Sequence, residues 1–422
     1  MTVIGLDDTD SRTLGMCTTY LATLVAEAIE ARGGTVERRL LVRLNPAVEH
    51  KTRGNAALAL HTDLPAGTAF DLAREELDRW AVTEDERTSP GLVVAPGSPE
   101  TVSTAVADFA RGAVRDFHDV DDAETLADRS GFLSAGWHGG RGRIGALAAI
   151  GAWAAFDEWT YEHISYREFH RCGTPRDVDV DSVFEAADAG YPVAWDTVDH
   201  GENEAVCVPN APGPILYGIR GDDPDVVRDV ADAIESEPVD RSATFLTNQG
   251  SDAHLRDGTL SELRDGRAYR TTGTVVTDPE TRTGGHVFFD IEADDTTVTM
   301  AAFEPTKRFR NRVRSLRVGD RLTVCGEVTE GTLKLEKFAV RDLVRTEPTT
   351  PVCPDCGRTM KSAGRNQGYR CRDCDTEAPG KVARPVDRDL ERGWYEVPPC
   401  ARRHIAKPLV RGGFDAPTHP ER

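Results

Sequence analysis

Four of the nine cysteines, Cys353, Cys356, Cys371 and Cys374, stand in a C-x2-C-x14-C-x2-C pattern, and nothing else in the chain limits a local fold so tightly. Two such knuckles bring four thiolates around one Zn2+ in tetrahedral geometry and leave no coordination position open. The predicted zinc site is therefore structural, and the chain around it folds on the metal. Cys17, Cys172, Cys207, Cys325 and Cys400 fall at no ligand spacing and are expected to be ordinary thiols. The chain begins directly on a predicted strand, with no basic n-region or apolar core of a signal peptide. Together with the odd number of cysteines this predicts a reduced, cytoplasmic setting without disulfides. The longest apolar run, 144–156, has 13 residues, too few to span a bilayer, so no membrane is expected among the partners.

At 422 residues the chain exceeds what one core can organise, and its pattern predicts a multidomain α+β protein. Residues 1–157 alternate a strand at 3–6, a helix over 16–31, strands in VERRLLVRLNP and NAALALHTDL, a helix in AFDLAREELDRWAV, a strand in GLVVAP and a helix in ETVSTAVADFARGAV. That order predicts a layered α/β domain. It closes on GGRGRIGALAAIGAWAAF, a glycine-rich turn entering an apolar helix. Residues 158–262 follow a β-α-β-β-α-β cycle, the ferredoxin-like arrangement. Between 263 and 347, five short strands split by Gly, Asp and Asn predict a small β-barrel of the OB-fold type. A linker at 345–351 leads into 348–422, the zinc ribbon and a basic tail.

Net charge is -20, yet only 7 of the 51 basic residues are Lys. Such an acidic, Lys-poor composition suits concentrated salt, where long-range repulsion is screened, so the acidity does not exclude a nucleic-acid partner. Basic charge is also concentrated locally. Residues 348–422 hold 14 Lys and Arg against 10 Asp and Glu, and KRFRNRVRSLR (307–317) falls between strands of the predicted barrel. A barrel and a ribbon with basic patches suit an RNA-binding half; Arg-rich loops that only solubilise a surface are the plainer reading.

GLDDTDS puts Asp7, Asp8 and Asp10 at the carboxyl end of the first strand, where open α/β sheets place their ligands. Three carboxylates so close repel one another unless a cation sits among them, and Mg2+ takes one or two carboxylates together with phosphate oxygens. Gly139, Gly140, Arg141, Gly142, Arg143 and Gly145 supply the complementary half, a turn whose backbone can approach phosphate at a helix N-terminus with two guanidiniums alongside. The turn is neither a Walker loop nor a dinucleotide fingerprint. GMCTTY places Thr18 and Thr19 in the first turn of a helix, where a hydroxyl can accept a phosphoryl group or simply cap. KTRGN (51–55) adds Lys51 and Arg53 in a second basic loop. Singly these stretches read as solvated turns, caps and packing glycines; together they predict a site for ATP and Mg2+.

GLDDTDS, GMCTTYLA, RLNP, KTRGNAA, GRGRIGALAAIGA, TNQGSDAHL, GGHVFF and RHIAKPLVR occur here in that order. In them the chain resembles the archaeal tRNA-Ile agmatidine synthetases over essentially its whole length. The resemblance implies that 1–157 is a kinase-like ATP-binding catalytic domain, followed by the ferredoxin-like, OB-fold and zinc-ribbon units. It implies a ligase that joins agmatine, its co-substrate, to carbon-2 of the wobble cytidine in the CAU anticodon of isoleucine tRNA, so that this tRNA decodes AUA. The oxygen on carbon-2 is a poor leaving group. ATP therefore phosphorylates it first, and the primary amine of agmatine then displaces phosphate. The family is also implied to cleave ATP to AMP and to phosphorylate the threonine matched by Thr18. On this reading Asp7, Asp8, Thr18, Lys51 and Arg53 are catalytic, Asp7, Asp8 and Asp10 hold Mg2+, and the 139–145 turn binds the phosphates. Arg143 stands where the family's turn usually carries an apolar residue.

Two other readings compete. A non-catalytic RNA-binding protein, with barrel and ribbon gripping tRNA, predicts no nucleotide turnover and tolerance of Asp7 and Asp8 replacement. A metal-dependent nuclease or phosphatase built on the aspartates predicts activity without agmatine and without AMP.

Overall fold

The structure, a computed structural model, describes residues 1–51 and 54–422. Strand β1 (Thr2–Asp7) is buried along almost its whole length, because its side chains alternate onto two cores. Val3 faces one, with Ala146, Leu147 and Ile150; Ile4 and Leu6 face the other, with Leu21, Val25 and Leu72. The helices supplying these partners are α1 (Thr18–Ala31), α2 (Ala66–Trp80), α3 (Thr104–Arg115), α4 (Val120–Arg129) and α5 (Arg143–Ala155), and between them run β2 (Val36–Arg43), β3 (Ala56–Thr62), β4 (Gly91–Pro96) and β5 (Leu133–Gly136). The sheet of this first unit, in the order β5-β4-β1-β3-β2, is antiparallel throughout, with α1 and α2 on one face and α3 and α5 on the other. Helix α5 lies directly on β1: a Cβ at Gly5 would stand 2.1 Å from the carbonyl oxygen of Ala146. The layered domain expected from the alternation is present. Helix α4 and strand β5 had no counterpart in the sequence reading.

The next unit runs β6 (Thr160–Arg167), α6 (Val180–Gly190), β7 (Ala194–Trp195), β8 (Ile215–Gly221), α7 (Pro224–Asp232) and β9 (Val239–Thr247), with strands ordered β9-β6-β8-β7. Strand β9 pairs in parallel with β2, Leu40 opposite Leu246 and Leu41 opposite Thr247. The two units thus share one nine-stranded sheet, a continuity that local pattern could not reveal.

After β10 (Leu255–Asp257), strands β11 (Ala268–Val275), β13 (Val287–Ala293), β14 (Thr296–Ala302), β15 (Arg321–Thr329) and β16 (Thr332–Asp342) build the barrel, and β12 (Glu280–Thr281) pairs only with β13. It closes through the pairs β11–β13, β13–β14, β14–β16, β16–β15 and β15–β11 around Phe289, Met300, Phe309, Val324 and Phe338. The five strands expected here are the five that close it. The basic run 307–317 forms helix α8 (Phe309–Arg314) and its flanks. Much of its charge is paired within the chain, Arg308 with Asp199 at 2.8 Å and Arg310 with Glu304 at 3.4 Å.

Short strands β17 (Thr346–Thr349), β18 (Lys361–Ser362), β19 (Tyr369–Arg370), β20 (Glu377–Ala378) and β21 (Val382–Pro385) carry the four spaced cysteines. Beyond β21 the chain does not trail away as a free basic tail. Strand β22 (Gly393–Glu396) joins β16 on the barrel, β23 (Thr418–His419) joins β22, and the strap 399–411 runs back to the junction of the first two units. Among the described residues, no helix is long and apolar enough to cross a membrane.

Candidate functional site

A cavity of about 590 Å3 opens where the carboxyl end of β1 meets the starts of α1 and α5. Asp7 is the last residue of β1, and Asp8 turns with φ +56. The turn before α5 is packed against them. A Cβ at Gly142 would lie 2.6 Å from the Asp7 carbonyl oxygen, and one at Gly145 would lie 1.9 Å from Asp7 Oδ2. Glycine is needed at both places to let the helix start touch the strand's backbone at Gly142 and the carboxylate at Gly145.

Arg141 Nη2 donates to Asp8 Oδ2 at 2.7 Å and to the carbonyl of Arg87 at 2.8 Å. Burial, and then the charge of Asp8, push the Asp7 carboxyl well above its usual range. Burial also raises Asp8, with Arg141 opposing. Two carboxyls pushed toward their neutral form by burial, Asp7 also by the charge of Asp8, carry a cost that a divalent cation would relieve. The ligand atoms of Asp7, Asp8 and Asp10 do not all come within 4.8 Å of one another, as the four cysteine sulfurs do. The arrangement therefore fits Mg2+ held by one or two of these carboxylates, its other positions filled by phosphate oxygens and water.

The glycine-rich turn departs from its expected role as a backbone cradle. Gly140 N donates to Trp137 O, Arg141 N to Ser89 Oγ, Gly142 N to Ser89 O, Arg143 N to Gly140 O and Ile144 N to Arg141 O. Those N–H groups are spent inside the protein, and the turn meets the cavity through the Arg141 side chain together with Gly142 and Gly145. Gly139, Gly140 and Arg143 do not line it. Arg143 folds back onto Glu124 of α4 and the carbonyls of Gly139 and Gly140, because α4 brings a carboxylate within its reach.

Thr18, the first residue of α1, lines the cavity; its hydroxyl accepts from Thr9 Oγ1 at 3.2 Å. Cys17 at the N-cap makes no side-chain cap. Lys51 lines the cavity too, its ammonium donating to the carbonyl of Pro46. Burial and the neighbouring Arg403 pull its pKa down. Arg53 lies outside the described residues.

The floor comes from residues that the sequence reading passed over. Arg43, at the end of β2, pairs with Glu162 of β6 at 3.5 Å, and Gln249 donates to the same carboxylate. Arg43 and Gln249 each reach the Nδ1 of His404, at 3.5 and 3.3 Å. Burial, then Arg43 and Arg220, hold His404 well below its usual pKa. Arg402 and Arg220 share Asp196, and Arg402 also pairs with Glu396 at 2.8 Å. Gln249 and His404 fall within TNQGSDAHL and RHIAKPLVR, stretches with no chemical pattern of their own. Their only signal was presence in the resemblance.

Away from the cavity, the sulfurs of Cys353, Cys356, Cys371 and Cys374 all lie within 4.8 Å of one another, with Cys356 and Cys371 at 3.5 Å. Four sulfurs at about 2.3 Å from a tetrahedral ion stand about 3.8 Å apart, so the set fits Zn2+.

Comparison with known proteins places this geometry in context. Descriptions of the TiaS TCKD domain, the TiaS FLD domain and the TiaS C-terminal zinc ribbon domain match residues 3–68, 140–254 and 350–390. The tRNAIle2 2-agmatinylcytidine synthetase TiaS of Haloquadratum walsbyi is 59% identical, with all of both chains covered. A crystal structure of a TiaS–tRNAIle2–ATP complex matches with TM-score 0.88 and 40% identity over 100% of this chain and 99% of that one. A TiaS–tRNAIle2–AMPCPP–agmatine complex matches with TM-score 0.87 and 38% identity over the same shares.

Proposed function

The chain belongs to the TiaS family of tRNAIle2 2-agmatinylcytidine synthetases, and from that premise we propose how its cavity carries out the family's reaction. It is an ATP-dependent ligase that joins agmatine to carbon-2 of the wobble cytidine of tRNAIle2. ATP is cleaved to AMP: one of its two other phosphoryl groups passes to the oxygen on carbon-2, and the second is transferred to water and released as phosphate. The primary amine of agmatine then adds at carbon-2, phosphate leaves with that oxygen, and the nitrogen gives up a proton. The wobble base leaves its stack to reach the cavity, as chemistry at a base edge requires.

Within this reading Arg141 holds Asp8 in place at 2.7 Å, and Asp7 and Asp8 are the carboxylates that would hold Mg2+. The ion would neutralise charge on the phosphate chain. Arg141 and Lys51 add positive charge beside it, and Thr18 presents its hydroxyl at the N-terminus of α1, where a phosphoryl group is favoured by the helix dipole. Arg53, two positions along the chain from Lys51, is assigned to catalysis with it. Asp10, 8% exposed, lines the cavity beside the other two aspartates and adds its charge there. Arg43, Glu162 and His404 give the cavity a charged, hydrogen-bonded floor.

The domain reading goes with it. The order β9-β6-β8-β7 in a βαββαβ unit supports a ferredoxin-like domain at 158–262. The closed five-stranded barrel supports an OB-fold at 263–347 that binds tRNA. Residues 1–157 act as the kinase-like ATP domain, and 348–422 carry the structural zinc. We place the enzyme in the cytoplasm.

The observation that carries the assignment is the meeting of Asp7, Asp8, Thr18, Lys51 and Arg141 in one cavity of a chain similar to TiaS from end to end. The test is AMP release from labelled ATP in high-salt buffer with Mg2+ and tRNAIle2 transcript, with and without agmatine, for wild type and Asp8→Ala. AMP coupled to agmatine incorporation, both lost in the variant, is the expected result. Tight tRNA binding without turnover would leave a non-catalytic RNA-binding protein, and agmatine-independent hydrolysis without AMP would indicate a nuclease or phosphatase.

A further inference from the structure

We propose that Phe117 is a stacking platform for a base of the tRNA at the mouth of the cavity, an inference that rests on the ligase function. Among the described residues lining the cavity, Phe117 is the only Phe, Tyr or Trp. It is 50% exposed, in the loop between α3 and α4. Its ring is backed by Gly266 at the edge of the barrel: a Cβ there would stand 2.4 Å from Phe117 Cε2 and 2.6 Å from Cζ. Gly266 has φ +74, so glycine serves both the backbone turn and the ring.

The loop that carries Phe117 is pinned from both sides. Asp116 pairs with Arg256 at 3.0 Å and Arg267 at 2.9 Å, both from the barrel side. Asn45 of the first unit donates to the carbonyls of Asp116 and Gly266, each at 3.1 Å. The N–H of Phe117 donates to Asp116 Oδ1 at 3.0 Å. A half-exposed ring held this firmly has lost most of its entropy before any ligand arrives, and so it can stack at little further cost. It also lines the cavity where it touches Gly266 at the barrel's edge, and one aromatic face is what an unstacked base needs when it leaves its neighbours.

The adenine of ATP offers the same stacking chemistry, and the experiment separates the two. Steady-state ligation is measured for wild type, Phe117→Ala, Phe117→Leu and Phe117→Trp, varying tRNA and ATP in turn, with thermal unfolding recorded for each. The proposal expects KM for tRNA to rise about tenfold in both Phe117→Ala and Phe117→Leu, KM for ATP to stay at the wild-type value, and Phe117→Trp to restore tRNA affinity. Leu keeps the apolar contact with Gly266 but has no aromatic face. Rescue by Leu would therefore make the ring a domain plug and overturn the proposal. A rise in KM for ATP alone would assign the ring to adenine, and wild-type constants in all three variants would remove any role. The wild-type control keeps the two readings apart: if it makes no AMP with tRNA and agmatine, the ligase assignment itself fails.

Discussion

Gly145 sits one turn into α5 with its Cα against the Asp7 side chain, and a methyl there would overlap Oδ2 at 1.9 Å. Gly145→Ala is expected to leave the protein folded while shifting Asp7, and a displacement of that size at a reacting centre costs about 100-fold in rate. Agmatidine formation at saturating substrates measures it; a wild-type rate would show that Asp7 has no fixed place in the chemistry. His61, next to the end of β3, is fully buried, and burial with Arg38 nearby brings its pKa from 6.5 to about 4. The unfolded chain therefore binds a proton that the folded one refuses between those two values, and stability is lost as pH falls through that window. Between about pH 7 and about pH 5 wild type should lose about 2 kcal/mol more than His61→Phe, read from denaturant unfolding in high salt. Parallel curves would contradict it. At this scale the aspartates were legible because charge crowding is a local property. The partner of Arg143 was not, since Glu124 lies on a helix that the pattern did not reveal.

The strap 399–411 shows how a segment without chemistry of its own becomes part of a site. Gly250 N donates to His404 O at 2.8 Å and Asp252 N to Ile405 O at 3.0 Å, so the strap is laced to the loop after β9. Asp252 then accepts two of the three bonds of a buried ammonium, Lys337 Nζ at 2.8 Å from each of its oxygens, and the N–H of Lys407 at 2.7 Å; the third goes to the Lys407 carbonyl at 2.6 Å. Asp252→Ala would leave Lys337 buried without its carboxylate, a change that costs about 3–5 kcal/mol. Urea unfolding should show that loss, and one under about 1 kcal/mol would mean the strap is held elsewhere. Ligation should fall with it, because His404 reaches the cavity on the same strap. The strands and helices themselves were largely legible, as hydrophobic period decides them within a dozen residues. The strap was read as a basic tail because its Arg and Lys side chains look solvent-bound until the carboxylates that pair with them are brought in from the distant positions 158, 196, 222, 327 and 336.

Taken whole, the molecule has one sheet spanning its first two units and a small ribbon hung from the barrel. The ribbon's own apolar cluster is only Cys353, Met360 and Cys371, with Tyr369 and Ala378 beside them. It is too small to fold without metal. Stripping zinc with a chelator is expected to expose 350–385 to protease and to weaken tRNA binding, while ATP binding at the cavity persists; a ribbon still protected without zinc would contradict this. The sequence by itself determined the zinc ligands, the barrel strands, the βαββαβ order and the acidic loop, each of which depends on residues close along the chain. Only the tertiary structure decided that β9 would pair with β2, that the turn before α5 would spend its N–H groups inside the protein, and that Arg43, Glu162 and His404 would meet under one cavity. Those outcomes depend on which buried polar groups find partners across hundreds of residues, and a buried charge is satisfied by position in space, whatever its distance in sequence.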